Sequence, residues 1–328
     1  MKKIAFQTSP VSWALMQCVC MALSFIWSVA HLHGTVYPIQ FSIPECKIIR
    51  EIPLKTRDFA HIIPGRIDTY IYDYESEYYR GYQQSYFAIT CKRGGWDCLR
   101  HYEILANGCI PYFLDLDQCD EKTLYFLPKD LILEAMHLEG VSQLKIDHSI
   151  FDKNRYYEIL NKLLSYAREH LTCQKMAKYL LKTVHYTGRG PILYLSEDPS
   201  PDYLRCLTLI GLKELQGEKI VDFPKIGHIY KTYSDAQNLY GKGFTYTKIL
   251  EDLPVDRSCI EQRIRNREFE IVIYGSVHRG LPFNDLVCQI YNPEQIIYLC
   301  GDDVHRCDYP LYLHSSPLFL REFEGNDL

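Results

Sequence analysis

Residues Lys92 to Phe113 read KRGGWDCLRHYEILANGCIPYF, and this stretch decides the fold expected of the chain. Just before it, Tyr86-Phe87-Ala88-Ile89-Thr90 is a short run of β-formers ending on the turn-forming Lys92-Arg93-Gly94-Gly95, which predicts a buried strand. Asp97 is the expected N-cap of the helix that follows, with Leu99, Ile104 and Leu105 near one face and Arg100 and Glu103 one turn apart on another. Asn107-Gly108 closes the helix, Ile110 to Leu114 restarts as a strand, and an acidic turn at Asp115 and Asp117 breaks it off. The unit is a strand, a glycine loop, a short helix and a strand.

A glycine loop feeding a helix N-terminus presents backbone N–H groups and the positive end of the helix dipole, which together suit a phosphate. Gly94 and Gly95 make that loop, Arg100 adds a forked donor for the same phosphate, and Glu103 is an acceptor of the kind that holds ribose hydroxyls. The residue types alone fit equally well a surface ion pair between Arg100 and Glu103 with Trp96 in the core.

The segment resembles the donor-binding motif of GT-B glycosyltransferases, above all the exostosin-type pattern of an Arg and a Glu on a helix followed by Gly-Cys-Ile-Pro and a strand. The matching residues are Arg100, Glu103, Gly108, Cys109, Ile110 and Pro111. The resemblance implies an α/β fold of two Rossmann-like, GT-B-like halves facing across a cleft, with a nucleotide-sugar as co-substrate, no cofactor and no metal. It also implies a donor site built from Gly94, Gly95, Arg100, Glu103 and Gly108. The sequence departs from the pattern at His101-Tyr102, where small residues are usual, and in the Gly-Gly-Trp-Asp-Cys approach to the helix.

At 328 residues the chain suits two domains, and 47% hydrophobic with 23% charged residues is a globular composition. A net charge of −5 without a dense basic run argues against nucleic acid as a partner. Lys2 and Lys3 precede an uncharged run from Val11 to Ala30, long enough to cross a bilayer as a helix. Residues 1–33 therefore read as a signal peptide, with Ser28-Val29-Ala30 as a cleavage site, or as a signal-anchor helix. The expected location is a single-pass membrane protein with a cytoplasmic N-terminus or an exported one. The thirteen cysteines follow no framework spacing and contain no CxxC pair, so most are expected to be buried thiols, with a Cys300–Cys307 bridge as an option.

Residues 34–66, with Pro38, Pro44, Pro53 and Pro64, read as a stalk or wrapped lead-in. Residues 67–187 form the donor-type domain. Its opening is crowded with tyrosines, which either stack on a ligand or pack between helix and sheet, and Glu75 to Ser85 reads as a helix. Leu127 to His137 is a further helix, and Tyr156 to Val184 a helical pair with a break at Leu171-Thr172. Gly188-Arg189-Gly190-Pro191 marks the boundary to a second Rossmann-like domain, 188–328. There, strands at Ile192–Ser196, Ile220–Phe223, Glu270–Tyr274 and Gln295–Cys300 alternate with helices at Asp202–Leu215 and Phe283–Tyr291, which implies a parallel sheet with ligands at its carboxyl ends. Those ends carry Glu197, Asp198, Ser276, His278, Arg279, Asp302, Asp303 and His305.

The resemblance places the acceptor half first in the chain, whereas here the donor-type half leads. Either the halves are permuted or the second is a different domain. The function expected is transfer of a sugar from a nucleotide-sugar donor to a glycan, protein or lipid acceptor, with His278 or Asp302 as the base for the acceptor hydroxyl. The competing class is a non-catalytic carbohydrate- or protein-binding protein on the same fold. A hydrolase built on Ser276 is disfavoured, because Gly-Ser-Val-His lacks the small-residue elbow such a serine needs.

Overall fold

The computed structural model describes residues 36–303 and 315–323. The expected N-terminal helix, Cys307 and His305 lie outside the described residues. Among the described residues no helix is long and apolar enough to cross a membrane. The chain is a mixed α/β protein with two parallel sheets, which fits the Rossmann-like class expected.

The lead-in supplies one strand to each sheet. β1 (Val36–Pro38) lies at the edge of the larger sheet, and β2 (Arg57–Phe59) at the edge of the smaller. α1 (Glu75–Gln83) leads into β3 (Ser85–Thr90), whose six residues are all buried. α2 (Leu99–Ala106) and β4 (Ile110–Phe113) follow, and β2, β3 and β4 pair in parallel in that order. α3 (Lys129–Met136) and a small hairpin, β5 (Val141–Ser142) and β6 (Lys145–Ile146), then lead to α4 (Lys153–Tyr166). A π-helical turn over Ala167–Leu171 makes the expected break, and Thr172 caps α5 (Cys173–Thr183) by accepting the Lys175 N–H.

The larger sheet starts at β7 (Ile192–Leu195), followed by α6 (Tyr203–Gln216), β8 (Ile220–Phe223), α7 (Ile260–Arg265) and β9 (Ile271–Tyr274). It ends with α8 (Asn284–Ile290), β10 (Ile296–Cys300) and β11 (Leu318–Leu320). Its order is β8-β7-β9-β10-β11-β1, all parallel. From β7 onward that is the 2-1-3-4-5 order of doubly wound sheets, whose ligand crevice opens where the order reverses, between β7 and β9.

Alternate residues face opposite layers, as the period of two requires. Ile192, Tyr194, Ile271 and Ile273 pack with Leu207 and Ile210 of α6. Leu193, Leu195, Val272 and Tyr274 pack with Ile260, Ile264 and Val287 of α7 and α8. The first layer continues through α5 to Leu105 of α2 and to Phe87 and Ile110 of the smaller sheet, so one apolar core joins the two. Cys109, Cys173 and Cys206 are buried thiols, but Cys46, Cys259 and Cys288 are exposed, against the expectation that most cysteines would be inside.

α5 and α6 touch at Gly211, where a Cβ would overlap the carbonyl oxygen of Cys173 and meet Ala177 Cβ at 3.0 Å. Alanine gains about 1 kcal/mol of helix propensity over glycine. A clash with backbone is relieved only by parting the helices, at the ~1–3 kcal/mol typical of overpacking. Gly211→Ala is therefore expected to lower the midpoint of denaturant unfolding despite its better propensity; an unchanged or raised midpoint would show that the two helices are not locked.

Candidate functional site

The carboxyl ends of the two sheets face a common crevice of about 820 Å³. Its walls come from the 93–100 segment after β3, from Pro201-Asp202 after β7, His278-Arg279 after β9 and Gly301 to Asp303 after β10, and from Tyr240 to Phe244.

The glycine loop is built differently from the phosphate cradle expected. Glu322, just past β11, accepts the backbone N–H groups of Trp96 (3.0 Å) and Asp97 (2.9 Å), so the chain's own carboxylate holds these donors. The neighbouring Arg321, wholly buried, donates to the Asp97 carbonyl, to Gly301 and Asp302 carbonyls at 3.0 Å each, and to the Asp303 carboxylate. Its guanidinium also meets Glu322 at 2.9 Å and stacks on Phe41 with 4.6 Å to the ring centre. A Cβ on Gly94 would overlap the Asp303 carboxylate and one on Gly95 the Glu322 carboxylate, so both positions need glycine for a close approach by carboxylates.

Asp97 is not the N-cap; that position is Cys98, without a side-chain cap. Asp97 turns inward and accepts the Phe41 N–H (2.6 Å) and the Tyr102 hydroxyl (2.8 Å). Burial pushes its carboxyl up to about 7 against the pull of Arg321. His101, whose ring is held between Thr90 Oγ1 at 3.0 Å and the Trp96 carbonyl at 2.8 Å, is kept neutral by burial, its value pulled down to about 3. His101 and Tyr102 are thus the inner partners of the Trp96-Asp97 turn.

Arg100 and Glu103 both line the crevice, but not as a surface ion pair. Arg100 donates to the Tyr70 hydroxyl (2.8 Å) and stacks over that ring at 5.5 Å, while its Nε is buried without a partner among the described residues. Glu103 is buried and ends two hydroxyl relays, Tyr82 to Tyr78 (3.0 Å) to Glu103 (2.5 Å), and Tyr79 to Thr245 (2.6 Å) to Glu103. Burial raises its carboxyl above the usual range although both hydroxyls pull it down. The tyrosines therefore divide: Tyr79 and Tyr82 are core, whereas Tyr70, Tyr72 and Tyr78 face the crevice.

On the opposite wall Asp202 is the hub. Its Oδ1 caps α6 by accepting the Arg205 N–H (3.0 Å), and its Oδ2 accepts Ser276 Oγ (2.7 Å) and Arg279 Nε (3.0 Å). His278 Nε2 lies 3.5 Å from the same oxygen. Burial draws His278 below the ordinary histidine value, against the opposing pull of Asp202 and Asp302. Asp302 accepts the Asp303 N–H at 2.8 Å and faces the crevice.

Of the residues expected at the site, Gly94, Gly95, Arg100, Glu103, His278 and Asp302 come together in the crevice. Gly108 does not: it terminates α2 at φ +65°, and its carbonyl accepts the buried Lys55 ammonium. Sequence reasoning missed Asp202 as more than a helix start, although Ser200-Pro201-Asp202 after a strand is a cap signature. It also passed over Tyr240-Gly-Lys-Gly-Phe-Thr-Tyr246, whose alternating glycines and aromatics mark an unusual backbone. Comparison with family models, curated proteins and solved structures returns no match to this chain.

Asp97 carries a pH consequence. Its folded value near 7 lies above the ordinary 3.8, so the folded state binds the proton more tightly, and its contribution is full below about pH 4 and lost as pH rises through 7. Unfolding free energy measured by denaturant from pH 4 to 8 is expected to fall with pH in this window, and Asp97→Asn to reduce that slope by up to about one bound proton. An identical slope in the variant would place the titration elsewhere.

Proposed function

We propose that the chain is a glycosyltransferase that takes a nucleotide-diphosphate sugar in the crevice and passes the sugar to an acceptor hydroxyl. The observation that carries this reading is Arg100, a guanidinium braced on Tyr70 with a shielded, unpartnered Nε on the wall of a crevice at the carboxyl ends of two parallel sheets. A buried donor without a partner is costly, and an anionic oxygen would satisfy it. The GT-B-like pairing of two halves, in permuted order, belongs to the same proposal.

In the reaction the acceptor oxygen bonds to the anomeric carbon as the bond from that carbon to the diphosphate oxygen breaks. The electron pair leaves with the diphosphate, where Arg100 offsets the added charge. The acceptor proton goes to His278, which burial keeps neutral at pH 7, with Asp302 as the other base at the same rim. Glu103 has lone pairs beyond those used by Tyr78 and Thr245 and would accept from a ribose hydroxyl. Because Glu322 holds the loop N–H groups, the diphosphate would depend on side chains more than on backbone. That same occupation favours the second reading, a non-catalytic carbohydrate- or protein-binding protein, should no nucleotide bind.

Arg100→Ala is expected to weaken UDP- or GDP-sugar binding by the ~1.5–3 kcal/mol of a hydrogen bond to a charged group, with the melting temperature near wild type. Calorimetry showing equal binding would make the residue structural. For transfer, kcat/KM is expected to rise with pH through a midpoint below 6.5 and to level off by neutrality, as the base loses its proton. His278→Gln should remove that limb; its survival would move the base to another group, Asp302 first.

A further inference from the structure

Tyr240 is 72% exposed and Tyr70 43% exposed, yet both line the crevice. Exposed rings at the mouth of a cleft are unusual enough to need a reason, and the backbone that holds Tyr240 supplies one. Gly241, Lys242, Gly243 and, after Phe244 at −64°, Thr245 have φ of +61°, +56°, +70° and +75°, positive values that are unfavourable for lysine and more so for β-branched threonine.

The segment keeps this shape because it is tied across to the first sheet. Lys242 Nζ meets Asp73 at 2.6 Å and donates to the Tyr72 carbonyl at 2.8 Å. The Thr245 N–H donates to Glu75 at 2.6 Å and the Thr245 hydroxyl to Glu103. Tyr203 backs Tyr240 with ring centres 5.5 Å apart, and its hydroxyl comes within 2.5 Å of where a Gly241 Cβ would stand. A strained strap anchored at several points thus sets an otherwise uncovered ring at the crevice mouth. Tyr70, which lines the same crevice, is braced by Arg100.

We infer that Tyr240 and Tyr70 are stacking platforms of a carbohydrate subsite at this mouth, taking a neutral pyranose of the acceptor. This deepens the glycosyl-transfer reading and rests on it. A tyrosine ring offers an apolar face that matches the C–H face of a pyranose, and its hydroxyl offers a polar handle. The ring hydroxyls of the sugar find a partner in Asp302, which lines the same crevice. Asp68 and Asp73, in the segment that carries Tyr70, are ion-paired with Arg66 and Lys242, so this part of the mouth presents balanced charge and suits a neutral ligand.

The test is calorimetry on the full chain with maltopentaose, cellopentaose and chitopentaose, and separately with UDP. At least one pentasaccharide is expected to bind wild type, Tyr240→Ala to weaken it about three- to tenfold, and Tyr240→Phe to restore it, with the melting temperature as the control for folding. No binding of any pentasaccharide, or equal binding by the alanine variant, overturns the subsite. It is equally overturned if Tyr240→Ala leaves saccharide binding intact and lowers only association with phosphatidylcholine vesicles. Pentasaccharide binding that depends on Tyr240, in a chain that ignores UDP, supports the subsite while rejecting the nucleotide-sugar donor.

Discussion

The carboxylate of Glu322, holding the N–H groups of Trp96 and Asp97, is the contact on which the crevice depends. It ties the end of β11, in the larger sheet, to the loop that opens α2, in the smaller one. Buried charge is expensive, and this cluster is sustained only because Arg321 spends its donors on Glu322, Asp303 and the carbonyls of Asp97, Gly301 and Asp302. Removing one member would leave the others charged and unpaired, which is costlier than never having buried them. The spacing between the two walls is therefore set by covalent geometry and hydrogen bonds within a single cluster.

A second tie closes the other side. Thr245 accepts from Tyr79 and donates to Glu103, so a residue of the 240–247 strap completes the environment of a carboxyl on α2. The hydroxyl relays favour the ionised carboxylate while burial favours the neutral acid, and burial is the larger effect. Glu103 is thereby held in a fixed orientation with its carboxyl raised above the usual range. With one tie at the floor and one at the strap, the walls are organised before any ligand arrives, and such preorganisation is what makes fixed dipoles effective.

Much of this architecture was legible in the sequence, because apolar runs and their punctuation are local. Ile220–Phe223 and the Leu171-Thr172 break fall where the pattern puts them. β1, β2 and β11 were not legible: three residues are too few to show a period, and pairing of Val36 with Leu318 joins opposite ends of the chain. The glycine loop was found and its partner misread for the same reason. Glycine is required wherever an anionic group comes close to backbone, and the local sequence does not say whether that group is a phosphate or a carboxylate 225 residues away. Asp97 likewise carries the signature of a cap, and only the return of Phe41 from the lead-in shows that its oxygens are used inside.

Of the cations around the crevice, Arg279, Lys242 and Arg321 are tied to carboxylates, whereas Arg100 is held by a tyrosine. Arg279 is taken up by Asp202, Ser200 and the Pro201 carbonyl, Lys242 by Asp73, and Arg321 by the buried carboxylates. These three hold the walls in place, and using any of them for a ligand would first break a tie. Arg100 differs, because its hydrogen-bond partner is a neutral hydroxyl and its stacking partner a ring face, neither of which cancels its charge, and its Nε is shielded from water without an acceptor among the described residues. An incoming anion therefore meets the least resistance at the first turn of α2, where the helix dipole adds to the same attraction. On the proposed reading, the neutral side of a ligand would fall to the tyrosines at the mouth, and the crevice would sort a ligand by charge from its inner wall outward.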